Sequence, residues 1–299
     1  MDGDFGYKMD YSLNVRKLTP QKFHREKQLW KKAVYPVDDC TTDKITFVTY
    51  NIWFAKYYRQ ERCQALLNII RDCQADAIAL QEVTPETLKI ILAQEWIRDS
   101  YYVSDATGKT ISPYGVLLLS RLPIRQLFLH QLISFMSRQA LVADISINNQ
   151  IIRLAIIHLE SRKPSAPIRA QQLAAIFPML QDSDRTILMG DFNFCSSWQA
   201  ENAQIDSSYQ DLWTLLKPDE PGYTEDTDIN LMRLEQKGKK RHVRFDRILF
   251  RCNYLDWYPY AVELLGTEPI SPDLPNVFPS DHFGVCGTIE WRWGDGVMG

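Results

Sequence analysis

From residue 45 onward, apolar residues come in short runs separated by turns and amphipathic stretches, the pattern of strands with interspersed helices. Runs at 45–50, 77–80, 114–120, 141–147, 151–158, 186–189, 241–250 and 285–291 read as strands. Two of them, 141–147 and 151–158, meet at Asn148-Asn149, and asparagine tolerates the positive φ that a tight hairpin needs. Residues 62–73 carry Leu66, Leu67, Ile69 and Ile70 at helical spacing, and 168–180 reads as a second helix. Residues 1–18 are polar and irregular. Thr19-Pro20 looks like an N-cap with proline in the first turn. Residues 21–34 then place Phe23, Trp30 and Val34 near one face, so a helix is expected there, ended by Pro36. Strands outnumber helices and both are spread along the length. The pattern predicts one α+β domain over residues 44–293, with two packed sheets and outer helices. A basic extension over 1–43, its helix packed on the body, precedes it, and a flexible tail at 294–299 follows.

Composition changes that picture little. With 299 residues, 45% hydrophobic and 24% charged, the chain reads as a soluble globular protein with a sizeable core. A net charge of −3 excludes a general polycation, so affinity for phosphate-rich ligands must come from local patches. Residues 16–32 hold seven Lys or Arg against Glu26, and residues 237–251 hold seven against Asp246. The first patch is either a solvated helix face or a basic arm for phosphates. The second is either a charge-protected edge strand or a nucleic-acid channel in which Lys239, Lys240 and Arg241 lead toward Phe245-Asp246. Six scattered cysteines form no C-x-x-C pair. They signal neither a zinc site nor a disulfide framework and favour a reducing, intracellular compartment, cytoplasm or nucleus. The N-terminus is acidic and lacks an apolar stretch, so neither a secretory signal nor a ubiquitin-binding module is read there. No apolar run approaches the roughly 20 residues that span a bilayer, and neither a membrane nor an obligate protein partner is expected.

Polar residues recur where apolar strands end. Asn51 follows Phe47-Val48-Thr49-Tyr50, Glu82 follows Ile78-Ala79-Leu80-Gln81, and His158 follows Leu154-Ala155-Ile156-Ile157. Asp191 and Asn193 follow Ile187-Leu188-Met189-Gly190, while Asp281-His282 precede Gly284-Val285. Strand ends hold side chains rigidly at the rim of a sheet, where catalytic groups gather. Asn51 and Glu82 offer hard oxygen donors that suit Mg²⁺, with Mn²⁺ able to substitute. Asp191 can orient or deprotonate an attacking water while Asn193 fixes the geometry. His158 and His282 can donate to phosphoryl oxygens as charge builds there. Asp281 either orients its neighbour's ring or binds the metal. Alone, Asn51 is as readily a turn residue, and His158 a satisfied core histidine.

Together, Thr49-Tyr50-Asn51, Leu80-Gln81-Glu82, His158-Leu159-Glu160-Ser161, Gly190-Asp191-Phe192-Asn193 and Ser280-Asp281-His282 resemble the endonuclease/exonuclease/phosphatase superfamily in order and spacing. The resemblance implies a four-layer αββα sandwich of two mainly antiparallel sheets with outer helices and the site at one rim. It also implies Mg²⁺ on Glu82, water activation by Asp191 and transition-state support from His282. Three segments look most like the 5′-tyrosyl-DNA phosphodiesterase branch: the one at His158, Arg244-Phe245-Asp246-Arg247-Ile248, and Phe278-Pro279-Ser280-Asp281-His282. That branch hydrolyses the bond between a protein tyrosine and a 5′ nucleic-acid end. The likeness implies His158 and Ser161 on the scissile phosphate, Phe245 near the terminal nucleotide and Asp246 in support of the histidine centre. Three positions depart from the branch. Trp53 stands in place of an acid, Glu225 in place of a tryptophan that helps hold the DNA end, and Cys195 in place of an arginine. The expected partner is a DNA or RNA 5′ end, with or without a covalent tyrosine or peptide. A nuclease, a phosphatase or lipid phosphodiesterase on a small phosphorylated substrate, and a binding protein with a degenerate site are the alternatives.

Overall fold

A computed structural model describes residues 15–33, 40–254 and 256–292. The long strands carry apolar side chains on both faces, and this sets the layers. In Lys44–Asn51, Ile45 and Phe47 face one way and Val48 and Tyr50 the other; in Gln150–His158, Leu154 and Ile156 oppose Ala155 and Ile157. The first set of each joins one core between the sheets. The second set packs beneath helices, Arg59–Asp72 and Pro85–Ala93 on one side and Ala166–Leu180 on the other. Four layers follow.

The eight-stranded sheet runs in the order Trp257–Leu265, Gly284–Trp291, Lys44–Asn51, Ala77–Val83, Gly115–Ser120, Tyr102–Val103, Gln21–His24, Leu29–Lys32. The seven-stranded sheet runs Val15–Lys17, Ile124–Gln131, Gln139–Ile147, Gln150–His158, Arg185–Asp191, Asp246–Cys252, Gln210–Asp211. Among the described residues each sheet has one parallel pair of strands, Lys44–Asn51 with Ala77–Val83 and Gln150–His158 with Arg185–Asp191. Parallel neighbours finish at the same edge, so Asn51 lies beside Gln81-Glu82 and His158 beside Asp191. The hairpin expected at Asn148-Asn149 forms, with φ of 50° and 58° at the two asparagines.

Residues 21–34 do not form the expected helix. Gln21–His24 and Leu29–Lys32 are a β-hairpin, turned by Arg25–Lys27 and by Gln28 at φ 48°, ψ 41°; residue 34 lies outside the described residues. Phe23 and Trp30 face each other across the hairpin, their rings edge to face at 5.4 Å. A separation of seven residues fits two helical turns and this hairpin pair alike, which is why the spacing misleads. The hairpin edges the eight-stranded sheet, and Val15–Lys17 before it edges the seven-stranded one. Two of its cations have structural partners: Arg25 pairs with Glu95 and Asp99, and Lys22 lies over the Tyr102 ring at 4.4 Å. The strand expected at 241–250 is divided. His242–Val243 pairs with Glu225–Asp226, and Asp246–Cys252 enters the seven-stranded sheet. The expected tail at 294–299 lies outside the described residues. Among the described residues no helix is long and apolar enough to cross a membrane.

One close approach fixes the rim. Gly190 has φ +147°, and a Cβ there would lie 1.9 Å from the Ile157 carbonyl oxygen, so only glycine lets the two parallel strands lie at this distance. Gly190→Ala is therefore expected to lower the unfolding free energy in urea by about 3 kcal/mol, through strained φ and overlap together. Unchanged stability would show that the strand relaxes around a methyl group.

Candidate active site

The parallel pairs deliver four polar side chains to one rim, and the bonds among them join the two sheets. Asn51 Nδ2 donates to Asp191 Oδ2 at 3.0 Å, while its own amide oxygen accepts from the Trp53 N–H at 3.1 Å. Glu82 sits at a register slip between Leu80 and Val83 with φ 61°. Such a bulge with left-handed backbone redirects a side chain at a cost that a working site tolerates. The Phe54 N–H holds Glu82 Oε2 at 3.0 Å. Burial, with Asp281 next in weight, pushes the Glu82 carboxyl up to about 7.

Asp191 is the most constrained group. Its Oδ1 accepts from the Asn193 N–H at 2.8 Å, and its Oδ2 from Asn193 Nδ2 at 3.3 Å besides Asn51. His158 Nε2 stands 3.3 Å from the same Oδ2. Burial alone would raise this carboxyl, but the His158 bond, nearby positive charge and the Asn193 N–H hold it far below the usual range. Asn193 owes its position to φ 54° and to a bond from its amide to the Leu159 carbonyl at 3.0 Å.

Arg138 sets the state of His158. Its guanidinium lies 2.8 Å from His158 Nδ1 and donates to Ser161 Oγ at 2.7 Å. An arginine only donates, so Nδ1 accepts and the ring proton sits on Nε2, toward Asp191. Burial, and then the Arg138 charge, press the His158 pKa down to about 4. His158 is a neutral donor.

His282 is the opposite. Burial disfavours its cation, yet Asp246, with Nδ1 to Oδ2 at 2.8 Å, and the charges of Asp191 and Asp281 raise its pKa well above the ordinary value. Asp246 is anchored in turn by its N–H to Thr224 Oγ1 at 3.1 Å. The other ring nitrogen, Nε2, is 3.3 Å from Glu225 Oε1. Glu225 also pairs with Arg233 and Arg241, both at 2.7 Å, and Arg233 reaches Asp281 at 3.1 Å.

These groups line one cavity of ≈ 690 Å³. It brings together all thirteen residues singled out from the sequence except Asp246, which lies behind His282: Asn51, Glu82, His158, Ser161, Asp191, Asn193, Lys239, Lys240, Arg241, Phe245, Asp281 and His282. Phe245 lies 6.4 Å from the His282 ring, with the Arg241 guanidinium over it at 5.3 Å. The basic run is less uniform than its charge suggests. Lys240 pairs with Asp228. Arg244 and Arg247 turn inward to Asp211, and Arg251 to the carbonyls of Leu180 and Ser183. Arg138, Arg233 and Tyr114 also line the cavity and were not singled out, because each stands outside any motif. Glu225 was visible only as a departure.

Comparison with known proteins agrees with this geometry. Residues 48–282 match the model of the endonuclease/exonuclease/phosphatase family. Tyrosyl-DNA phosphodiesterase 2 of Xenopus laevis is 29% identical over 251 residues, covering 80% of this chain and 65% of that protein. The Rattus norvegicus protein of that name is 28% identical over 265 residues, covering 85% and 69%. The chain thus spans about two thirds of the length of these relatives. Among solved structures, D. rerio TDP2 complexed with a single-strand DNA product has a TM-score of 0.71 at 22% identity, covering 83% of this chain and all of that one. An endonuclease/exonuclease/phosphatase from Bacteroides vulgatus has a TM-score of 0.64 at 14% identity, covering 84% of this chain and all of that one. Both share the fold. With the family match spanning most of its length and the rim geometry in place, this chain belongs to the endonuclease/exonuclease/phosphatase family.

Proposed function

We propose that the protein is a divalent-metal-dependent phosphodiesterase acting at nucleic-acid 5′ ends, with 5′-phosphotyrosyl adducts as its favoured substrates. The observation that carries this reading is the pairing, within one buried rim, of Asp191, which accepts from Asn51 and Asn193, with His282, which is bonded through Nδ1 to Asp246. Asp191 keeps an Oδ1 lone pair beyond its bond from Asn193, enough to orient an attacking water. His282, with Arg138 across the cavity, supplies donors for the phosphoryl oxygens as charge builds, while the single N–H of neutral His158 is given to Asp191. The relatives' shared name supports the choice of adduct.

The residues present fit a metal. Burial, and then the neighbouring Asp281, raise the Glu82 pKa, and Asp281 Oδ1 is buried without a hydrogen-bond partner; a cation between them would relieve both. Single atoms of Asp191, Asp246 and His282 also lie within 4.8 Å of one another. Both ring nitrogens of His282 already face carboxylates, Asp246 and Glu225, so Glu82, with Asn51 and Asp281, is the better donor set. All-oxygen donors suit Mg²⁺, with Mn²⁺ as substitute. When bound, the metal supplies Lewis-acid stabilisation of phosphoryl charge. Lys239, Lys240 and Arg241 are assigned to the nucleic-acid strand, Ser161 to the scissile phosphate and Phe245 to the terminal nucleotide.

Wild-type protein is expected to release tyrosine from a 5′-tyrosyl oligonucleotide with Mg²⁺ more readily than it cuts plain single-stranded DNA, RNA or an inositol phosphate. Turnover of none of the four would remove the enzymatic reading. Asp191→Asn should lower kcat about 10²- to 10⁴-fold while a 5′-phosphorylated strand still binds; near-normal turnover would take the water-orienting role away from Asp191. Neutralising Lys239, Lys240 and Arg241 together should flatten the plot of log affinity against log salt by about one to two units. That is less than three full charges, because Lys240 and Arg241 already have acidic partners. An unchanged slope returns the patch to a structural role.

A further inference from the structure

We infer that Glu225 is a specificity-determining residue: its carboxylate stands in for a phosphoryl group on His282 and sets the cavity against dianionic phosphomonoesters, so that diesters are admitted and the monoester product is expelled. The inference rests on the phosphodiesterase reading above. Glu225 is 2% exposed and lines the catalytic cavity beside Arg233, Arg241 and His282. Its Oε1 is 2.7 Å from Arg233 and 3.3 Å from His282 Nε2, and its Oε2 is 2.7 Å from Arg241 Nε. Two guanidinium groups and an imidazole nitrogen converge on one anion, as they do on a bound phosphoryl group.

The fold holds this carboxylate in place. Glu225 pairs with Val243 in the short two-stranded ladder. Thr224 before it is fully buried, takes the Phe283 N–H on its carbonyl at 2.7 Å, and accepts the Phe245 and Asp246 N–H groups on Oγ1 at 3.0 and 3.1 Å. Arg233 comes from the helix Leu231–Lys237, whose cap Asn230 also donates to the Ser280 carbonyl at 2.9 Å. Glu225 is thus tied to the segment that presents His282. His282 Nδ1 is committed to Asp246, which leaves Nε2 as its donor to phosphate. A phosphoryl oxygen in hydrogen-bond contact with Nε2, about 3 Å away, then lies within about 6 Å of Glu225 Oε1, since that oxygen is itself 3.3 Å from Nε2.

Charges this close interact through protein more than through bulk water, so Glu225 opposes each negative charge on the phosphoryl group. A diester carries one such charge, and a monoester close to two at about pH 8. On a logarithmic scale the carboxylate weighs about twice as heavily against product as against substrate. A tryptophan at this position, as in the branch the sequence resembles, carries no charge and makes no such distinction.

The test uses the whole chain with Mg²⁺ at about pH 8 and measures, by fluorescence anisotropy, binding of two thymidine strands. One bears a 5′-phosphate; the other bears the methyl ester of that phosphate, a diester with a poor leaving group. Glu225→Gln keeps the side-chain volume and removes the charge. It should tighten the monoester about tenfold and the methyl diester about threefold. Glu225→Asp, which keeps the charge, should hold the ratio of the two affinities near that of wild type. Wild-type protein itself should prefer the monoester by no more than about tenfold despite its extra charge; a larger preference overturns the inference without any variant. Unchanged affinities in Glu225→Gln, or equal tightening of both strands, also overturn it. So does weakening of both strands, since Glu225 would then serve only to hold Arg233 and Arg241. Wild-type protein that binds both strands yet releases no tyrosine from a 5′-tyrosyl oligonucleotide removes the phosphodiesterase reading itself, and this inference with it.

Discussion

A carboxylate stays charged in a protein interior only where donors replace the water it gives up. Asp191, 1% exposed, obeys that constraint, and much of the rim is arranged to meet it. One donor comes from Asn51 in the other sheet, two from Asn193 in the turn that follows, and one from His158 on the parallel neighbour. Each brings its own requirement. His158 can face Asp191 as a neutral donor only because Arg138 occupies its second nitrogen. Asn193 can reach back only through a left-handed backbone, and the parallel strands approach closely enough only across Gly190. The sheets are thus locked in register at the point where the reaction is proposed to occur.

The same reasoning explains the departure at Glu225. A tryptophan there would need no charge partner, whereas a buried carboxylate does. Glu225 takes Arg233, Arg241 and the Nε2 of His282 as its partners, and Arg233 extends the chain to Asp281. Glu225 thus holds two guanidinium groups in the wall of the cavity. Truncating one member of such a buried network leaves the others uncompensated, so Glu225 and Arg233 are coupled positions, and neither one substitutes for a stacking platform.

What the sequence made legible follows from the same physics. Strand ends carrying Asn51, Glu82, His158 and Asp191 were readable because an apolar run that stops at a polar residue marks a rim, and the family's ordered segments supplied their order. Residues 21–34 were not, since a seven-residue spacing of Phe23 and Trp30 is common to a helix face and to a cross-strand pair. The run at 237–251 showed the sign of its charge but not its direction. Asp211, which draws Arg244 and Arg247 inward, lies 33 and 36 positions away in the chain. Arg138 and Arg233 are single arginines whose partners are set only by tertiary contact. Pattern reveals where a side chain emerges; pairing needs the fold.

Arg62 joins the chemistry to the loop that frames it. A guanidinium removed from water has lost strong hydration, and here burial lowers its pKa to about 10. Five carbonyls answer that loss, four in residues 52–58 and one at Pro279, next to the segment that presents Asp281 and His282. A flexible loop could not supply four aligned carbonyls without giving up its conformational freedom. The entropy is therefore spent at folding, and Phe54 and Trp53 line the cavity on an already ordered loop. Aromatic rings displayed in this way hold a partner at lower entropic cost than rings that must first be ordered, so the cage around Arg62 makes the mouth of the cavity as preorganised as its floor.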